Sequence, residues 1–385
     1  MKTTAYLDNA ATTRISEPVL AGMMPYLRES YGNPSSIYKS GREAYLAIDK
    51  ARKQVAKAIN CAPEEIYFTS GGSESNNWAL QNHTNVITSE FEHHAVLHAI
   101  KGEPILLPVY SNGILKVSDL EKALAENPET SLVTIMLVNN EIGTIQPISE
   151  ICEFISDWNR KTAEGGQNRQ CLLHTDAVAA IGSVPVDVKA MNVDMLSLSG
   201  HKIHAMKGVG ALYVRKGVKL PRLISGGAQE FNRRAGTENV AGIVGLGIAI
   251  EEAVSGLEEK NSALLAKRER IYNEIMKIEK VHLNGELENR TAGNINFSFE
   301  GIEGEALLLQ LDLKGIAASS GSACTSGSLD PSHVLLALGL PHEIAHGSLR
   351  ITMSKYTTDE EVDYFLKQLP PIVEKLRALS PLWKA

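Results

Sequence analysis

The sequence of 385 residues contains no long apolar run. Its longest apolar stretches, such as residues 131–138, have the length of a β-strand, whereas a membrane span needs roughly 18 or more apolar residues in a row. The first residues, MKTTAYLDNAATTR, lack the apolar core of a secretory signal. These absences predict a cytoplasmic protein that has no membrane partner.

Cysteine is also sparse, and none of the four cysteines belongs to a C-x-x-C pair. Four scattered cysteines in a chain of this length do not form a zinc site or a disulfide framework, so no metal site is predicted. Cys61, Cys152 and Cys171 lie in ordinary surroundings and are interpreted as small core residues.

Positive charge is in deficit, because 38 Lys and Arg oppose 45 Asp and Glu, which gives a net charge of −7. An acidic chain does not coat nucleic acid or anionic lipid through bulk charge, so direct nucleic-acid binding is not expected. The shares of hydrophobic and charged residues, 43% and 22%, are those of an ordinary globular protein.

The first 250 residues alternate short apolar runs with amphipathic helical patterns, which indicates an α/β fold. The runs lack polar alternation, so both faces of the sheet should be covered, as in a mainly parallel sheet. The predicted strands are residues 66–69, 86–88, 132–138, 172–174, 195–198 and 211–214. The predicted helices are residues 43–59, 118–125 and 148–160.

A different organisation begins after the Gly-rich stretch 241–250. The pattern predicts a long helix over 251–280, a strand over 294–299, a helix over 304–311, a Gly/Ser-rich loop over 318–329 and a closing helix over 358–379. We therefore predict a large α/β domain over residues 14–255. Residues 1–13 and 256–385 are predicted to form a smaller α+β domain.

Several polar segments follow the predicted strands, where open α/β sheets place their ligands. Gly72 and Ser73 lie between a strand and a helix, an arrangement that favours an anion at the helix N-terminus but also fits an ordinary turn. Asp176 fits a partner for a cationic ligand or a helix cap. His93 and Asn140 end two further strands.

The segment S-G-H-K delivers Ser199, His201 and Lys202 together at the end of a strand. A desolvated lysine in that position becomes nucleophilic and can form a Schiff base with an aldehyde cofactor, although a lone loop lysine is more often simply solvated. Cys324, in S-S-G-S-A-C-T-S, is surrounded by small polar residues. It is a candidate nucleophile in an exposed, mobile loop, and the alternative is an incidental surface cysteine.

Together these segments resemble the cysteine desulfurases of the NifS/IscS type, which are pyridoxal-phosphate enzymes of fold type I. The resemblance runs from Y-L-D-N-A-A-T-T near the N-terminus to L-S-P-L-W near the C-terminus, and the order and spacing of about eight motifs agree. It implies a large domain with a mainly parallel seven-stranded sheet plus a smaller α+β domain. It also implies pyridoxal 5′-phosphate as the cofactor and L-cysteine as the substrate.

The resemblance assigns roles to individual positions. Lys202 would bond covalently to the cofactor, Asp176 would pair with its pyridine nitrogen, and His93 would stack on its ring and take part in proton transfer. Cys324 would receive the sulfur as a persulfide. The remaining positions divide into phosphate-binding residues, namely Gly72, Ser73, Ser199, His201 and Thr237, and substrate-binding residues, namely Asn33, Asn140 and Arg350.

Thr237 would reach the phosphate of a neighbouring subunit, so the resemblance implies a homodimer. The sulfur would pass to an iron–sulfur scaffold or to another acceptor, including the machinery of tRNA thiolation. Two other functions stay open at this point: a lyase or aminotransferase that acts on another amino acid, and a weakly active cofactor-bound scaffold.

Three departures from the family pattern accompany the resemblance. Ala179 replaces a glutamine that contacts the ring hydroxyl, and Ala205-Met206 replaces Gly-Pro after the lysine. The stretch between Asn77 and Val86 is shortened. The scaffold alternative depends on the first two departures.

Overall fold

The computed structural model describes residues 4–166, 170–320, 330–381 and 383. Within these residues the strands are β1 (Ala5–Tyr6), β2 (Ile66–Thr69), β3 (Val86–Ser89), β4 (Ile105–Leu107), β5 (Leu132–Thr134), β6 (Leu172–Asp176), β7 (Met195–Ser199), β8 (Gly210–Val214), β9 (Val281–Leu283), β10 (Asn294–Phe299), β11 (Ile316–Ala317) and β12 (Ser348–Thr352).

The α-helices of the same residues are interspersed with these strands along the whole chain. They are α1 (Glu17–Arg28), α2 (Lys39–Ala58), α3 (Gly72–Leu80), α4 (His94–Leu97), α5 (Val117–Glu126), α6 (Ile148–Glu164), α7 (Val188–Met191), α8 (Gln229–Asn232), α9 (Val240–Val254), α10 (Leu257–Ile275), α11 (Gly304–Asp312), α12 (His333–Ala337), α13 (His342–His346) and α14 (Asp359–Leu379).

A seven-stranded sheet in the order β2-β8-β7-β6-β5-β3-β4 forms the centre of the larger half. Strand β8 is antiparallel to both of its neighbours, and the other neighbouring pairs are parallel. This arrangement confirms the predicted mainly parallel α/β sheet. The carboxyl ends of β2, β3, β5, β6 and β7 therefore meet at one edge of the sheet, where such folds bind ligands.

Helices α1 and α2 both pack on the buried helix α9. Ser16 is the N-cap of helix α1, and its hydroxyl accepts a hydrogen bond from the Val19 amide. Glycines in α9 permit the close approach, because a side-chain carbon on Gly245 would lie 2.6 Å from the sulfur of Met23. The inner faces of α1 and α2 are thus buried, whereas their outer faces stay exposed.

The second half of the chain builds a separate apolar core around β10 and α14. Strands β12, β10 and β9 form an antiparallel sheet, and β1 from the N-terminus pairs in parallel with β11. Leu7 therefore belongs to this smaller core. The predicted domain boundary near residue 255 stays a prediction.

Two of the predicted elements end earlier than their sequence patterns indicate. The strand predicted over 132–138 ends at Thr134, because the Met136 amide donates to the carboxylate of Glu92 instead of to a strand partner. The prediction of one helix over 251–280 is wrong, because the chain breaks at Gly256, which has a φ of +59°. Helix α10 begins directly after this glycine. The sequence analysis did not predict strands β4, β9 and β12.

Among the described residues no single helix combines the length and the apolar composition that crossing a bilayer needs, and α9 and α10 reach it only when taken together across a 71° bend.

Candidate active site

The glycine loop after β2 lies against the end of β7. Gly71 has φ +151° and ψ −174°, a conformation that is essentially restricted to glycine. A side-chain carbon on Gly72 would lie 2.6 Å from Cγ2 of Val178 and 3.7 Å from Cβ of Ser199. The loop can therefore approach Val178 and Ser199 this closely only without a side chain at Gly72.

Helix α3 begins within this loop, with Gly71 as its N-cap residue and Ser73 exposed in its first turn. Glu74 in the same turn forms an ion pair with Arg234, with 2.9 Å between the Arg234 Nε and the Glu74 Oε1. The Arg234 bond ties the segment that contains the exposed Thr237 to the glycine loop. A helix N-terminus with free N–H groups and a hydroxyl nearby is suited to a phosphate.

Asp176, at the end of β6, is the buried carboxylate of the site and is 5% exposed. Its Oδ2 accepts a hydrogen bond of 2.7 Å from Asn76 Nδ2, and its Oδ1 accepts one of 2.9 Å from the Val178 amide. The Asn76 Oδ1 is buried and has no partner among the described residues. The Asn76 amide therefore orients the Asp176 carboxylate. The sequence analysis missed this contact, although a polar residue on the buried face of α3 indicates that it has a polar partner.

His93 precedes the short helix α4, and its Nδ1 accepts a hydrogen bond of 3.0 Å from the Ala95 amide. Burial lowers the pKa of His93, the charge of Asp176 raises it, and the charge of Lys202 lowers it. All three candidate groups thus lie within electrostatic reach of one another. A ring in this environment stays neutral near neutral pH, with one ring nitrogen already engaged as an acceptor.

The residue before His93, Glu92, is completely buried. Its carboxylate accepts hydrogen bonds from the Ser89 hydroxyl and the Met136 amide. Burial raises the pKa of Glu92 to about 8, against these stabilising hydrogen bonds. Glu92 therefore joins the end of β3 to the segment after β5 in a single fixed arrangement.

Lys202 ends a short 3-10 turn after β7 and is half-buried. Its Nζ donates to the carbonyl oxygens of Ala10 and Ala11, at 3.0 Å for Ala11. His201, in the same turn, contacts the Thr12 hydroxyl through Nδ1 at 3.2 Å. Burial, followed by the charges of Lys202 and Lys207, lowers the pKa of His201 to about 4, so this ring is a neutral hydrogen-bonding group.

Arg350, on β12, is 2% exposed and reaches the site from the smaller core. Its Nη2 bonds Asp8 Oδ1 at 2.9 Å and its Nη1 donates to the Asn140 carbonyl at 3.2 Å. The Arg350 Nε is buried and has no partner among the described residues. The backbone carbonyl of Asn140 thus contacts Arg350, and their roles in substrate binding stay a prediction. Asp8 was not predicted as a member of the site.

Two further predicted residues are Asn33 and Cys324. Asn33 is exposed, and its Oδ1 accepts from the Ser35 amide in a local turn. Cys324 lies outside the described residues. Ser319, shortly before it, exchanges backbone hydrogen bonds with Arg350.

A cavity opens beside Lys202, between the two apolar cores. Its walls include Asn140, Val178 and Ala179. Ala179, one of the departures noted above, therefore faces the space next to the lysine, where a longer side chain would occupy volume. The described residues hold no group of three or more His, Cys, Asp or Glu side chains placed to bind a metal ion.

The remaining cysteines are unsuited to nucleophilic chemistry. Cys152 and Cys171 are buried, and Cys61 is half-buried against the larger core. Burial raises the pKa of both Cys61 and Cys171 to about 12. A thiol with so high a pKa stays protonated at neutral pH and is a poor nucleophile.

Comparison with known proteins gives one consistent result. Residues 5–365 match the family model of the class-V aminotransferases. A protein from Methanosarcina thermophila named cysteine desulfurase IscS is 51% identical, over 98% of this chain and 94% of the relative. More than 90% of each chain is thus aligned, so the similarity extends to both halves of the fold.

Two solved structures share the fold. One, described as a NifS-like protein, has a TM-score of 0.88 at 38% identity, over 98% of this chain and 100% of the other. The second is described as SspA in complex with cysteine and has a TM-score of 0.76 at 34% identity, over 92% of this chain and 100% of the other.

Proposed function

Because the chain belongs to the class-V aminotransferase family and is a cysteine desulfurase that uses pyridoxal phosphate, we propose which of its residues perform the reaction. Lys202, Asp176 and His93 are proposed to hold the cofactor, Arg350 to hold L-cysteine, and Cys324 to carry the sulfur. The observation that supports this assignment best is the buried Asp176 carboxylate, which the Asn76 amide and the Val178 N–H orient beside the cavity that Lys202 lines.

The described residues fit pyridoxal phosphate. The glycine loop forms a cradle that a side chain on Gly72 would fill, and Asp176 is a buried carboxylate that two donors orient. Gly72, Ser73, Ser199 and His201 would hold the phosphate, and Thr237 would do so from a neighbouring subunit. The bound cofactor supplies an electron sink that labilises bonds at the substrate α- and β-carbons.

Lys202 would hold the cofactor and, once the substrate amine replaces it, act as a base and acid at the substrate α-carbon. Its Nζ lies where the Ala10 and Ala11 carbonyls accept hydrogen bonds, and these acceptors stabilise the charged amine. His93 would cover the cofactor ring and exchange protons through the ring nitrogen that the Ala95 amide does not occupy.

Arg350 would bind the carboxylate of L-cysteine through its guanidinium fork, with Asn140 and Asn33 completing the substrate site. The Arg350 Nε is buried and has no partner among the residues that the structure describes, so a substrate carboxylate would satisfy this donor.

The sulfur would pass from L-cysteine directly to Cys324. The Cys324 thiolate attacks the substrate sulfur, a sulfur–sulfur bond forms, and the carbon–sulfur bond of the substrate breaks. The electron pair of that bond, with a proton, stays on the carbon skeleton and yields L-alanine, while Cys324 becomes a persulfide. Because the thiolate is the reactive species, Cys324 must be reduced before each turnover.

We extend the proposal to partners and location. The acceptor would be an iron–sulfur scaffold or another sulfur-accepting protein, since a persulfide reacts readily with a second thiol. The reducing conditions that keep Cys324 active favour the cytoplasm. A homodimer is supported by large apolar side chains exposed on the outer faces of α1 and α2, among them Leu27, Tyr45 and Leu46.

The proposed role of Cys324 is tested by measuring L-alanine and sulfide from L-cysteine, with pyridoxal phosphate and a reductant present. The wild type should release both products in equal amounts, and Cys324→Ala should release neither while it still shows the cofactor absorbance band. Cys61→Ala, whose thiol stays protonated, serves as the control and should match the wild type. Undiminished turnover by Cys324→Ala would remove Cys324 from the mechanism.

A further inference from the structure

Arg350 forms an ion pair with Asp8 and lies within electrostatic reach of a second acidic side chain, Glu141. Asp8 Oδ1 bonds the Arg350 Nη2 at 2.9 Å, and the side chains are 18% and 3% exposed. Glu141 is also buried. The charge of Arg350 lowers its pKa, whereas burial raises that pKa to about 7. The Glu141 carboxyl group accepts a hydrogen bond from the Ser332 hydroxyl, so Asp8 is the carboxylate that bonds Arg350.

Asp8 is itself held rigidly. The chain on either side of Asp8 is bonded to Thr352, two residues after Arg350: the Thr352 amide donates to the Leu7 carbonyl at 2.7 Å, and the Asn9 amide donates to the Thr352 carbonyl at 3.3 Å. The backbone of Arg350 is in turn fixed by Ser319. Two rigid backbones therefore determine the geometry of the Asp8–Arg350 ion pair.

The bonds that Arg350 makes leave one edge of its fork open. Asp8 accepts from Nη2 and the Asn140 carbonyl accepts from Nη1, whereas Nε is buried and has no partner within the described part of the chain. An arginine has five N–H donors, and a carboxylate needs two of them side by side. The partners of Nη1 and Nη2 thus decide whether the remaining donors face the substrate.

We propose that Asp8 is a positioning residue for L-cysteine binding, which holds the Arg350 guanidinium away from Glu141 and presents its open edge to the substrate carboxylate. The inference rests on the proposed role of Arg350. Without Asp8 the buried guanidinium lacks its counter-ion, Glu141 ionises beside it, and the cation turns to that carboxylate. The substrate then competes with a group of the protein for Arg350.

The test is the steady-state kinetics of alanine formation by the holoenzyme. Asp8→Ala should raise KM for L-cysteine at least about tenfold, as expected for loss of a charge-assisted contact, and leave kcat within about threefold. Asp8→Asn, which keeps an acceptor at the same place but removes the charge, should raise KM by less than Asp8→Ala does. An unchanged KM in Asp8→Ala would overturn the proposal.

A neighbouring residue provides the matched control. Asn9 anchors the same segment through a 2.9 Å bond from its Nδ2 to the Thr352 carbonyl, but does not contact Arg350. Asn9→Ala should keep KM within about threefold of the wild type. If Asn9→Ala raises KM as much as Asp8→Ala does, the effect belongs to anchoring of the segment and not to Arg350.

A double-mutant cycle separates this inference from the proposed function. Arg350→Gln alone should raise KM, and Asp8→Ala should then add no further increase, because its effect passes through Arg350. If Arg350→Gln leaves KM unchanged, the proposed role of Arg350 fails, and the inference fails with it. If Arg350→Gln raises KM but Asp8→Ala raises it further in that background, Asp8 acts by another route and only the inference fails.

Discussion

Gly72 stands at a position where a side chain has no free volume, since the added carbon would meet Cγ2 of Val178 at 2.6 Å. Valine is stiff at χ1, so it cannot turn aside without strain. Gly72→Ala must therefore displace the first turn of α3, where the backbone N–H groups are proposed to hold the cofactor phosphate.

We expect Gly72→Ala to raise the dissociation constant for pyridoxal phosphate about tenfold, which corresponds to about 1.4 kcal/mol. The measurement is an absorbance titration of the cofactor-free protein. Gly165→Ala is the control, because a carbon there would lie at an ordinary 3.5 Å from two carbonyl oxygens. Equal affinities in Gly72→Ala and Gly165→Ala would show that the glycine loop does not contact the phosphate.

The sequence identified residues of the candidate site only where they belong to a recognisable motif. Gly72 and Ser199 belong to motifs with a recognisable chemistry, and the structure places their backbones side by side. Asp8 and Asn76 carry no such signal of their contacts. Both act on a partner more than 90 positions away, and a distance of that kind is set by the fold and not by local sequence.

At the scale of elements, Glu92 is the link between two strands. It takes the Met136 amide that would otherwise extend β5, and so it sets where the chain leaves the sheet to form the segment that contains Asn140. The sequence pattern of residues 132–138 is apolar throughout and contains no sign of this departure. Apolar runs predict that a strand exists, whereas its end depends on a polar partner from another element.

Glu92 also makes stability depend on pH. Its pKa is about 8 in the folded protein and near 4.5 when it is exposed. Between pH 4.5 and pH 8 the folded state therefore keeps the proton of Glu92, whereas the unfolded state releases it. The stabilisation is complete below pH 4.5 and is lost as the pH rises through 8, by up to roughly 1.4 kcal/mol per pH unit.

Glu92→Gln removes this titration and keeps a neutral side chain of the same shape. We expect the free energy of unfolding of the wild type, relative to that of the variant, to fall as the pH rises from 5 to 8. Urea denaturation at several pH values measures this difference, and the other titrating groups cancel because both proteins contain them. A difference that stays constant with pH would mean that Glu92 is ionised throughout this range.

At the scale of the whole molecule, α1, α2 and the segment between them expose an unusual number of large apolar side chains. They are Leu20, Met24, Leu27, Tyr31, Ile37, Tyr38, Tyr45 and Leu46. Leu20, Met24 and Leu27 follow helical spacing and therefore lie on one face of α1. Exposed apolar surface of this extent is typical of an interface, and the proposed partner is a second copy of this chain.

This surface connects the oligomeric state with the cofactor, because Thr237 is proposed to reach the phosphate bound by the neighbouring subunit. The double variant Leu27→Glu/Leu46→Glu should place charges in the interface and halve the native mass measured by light scattering after gel filtration. Leu309→Glu/Leu313→Glu is the matched control, since those leucines are 59% and 57% exposed against 56% and 62% for the first pair.

The monomeric variant should also bind pyridoxal phosphate more weakly, by about tenfold if Thr237 contributes a hydrogen bond to a charged group. If the interface variant keeps the mass of the wild type, these helices do not form the dimer contact. If it becomes monomeric but keeps its affinity for the cofactor, the dimer exists without a phosphate contact from Thr237.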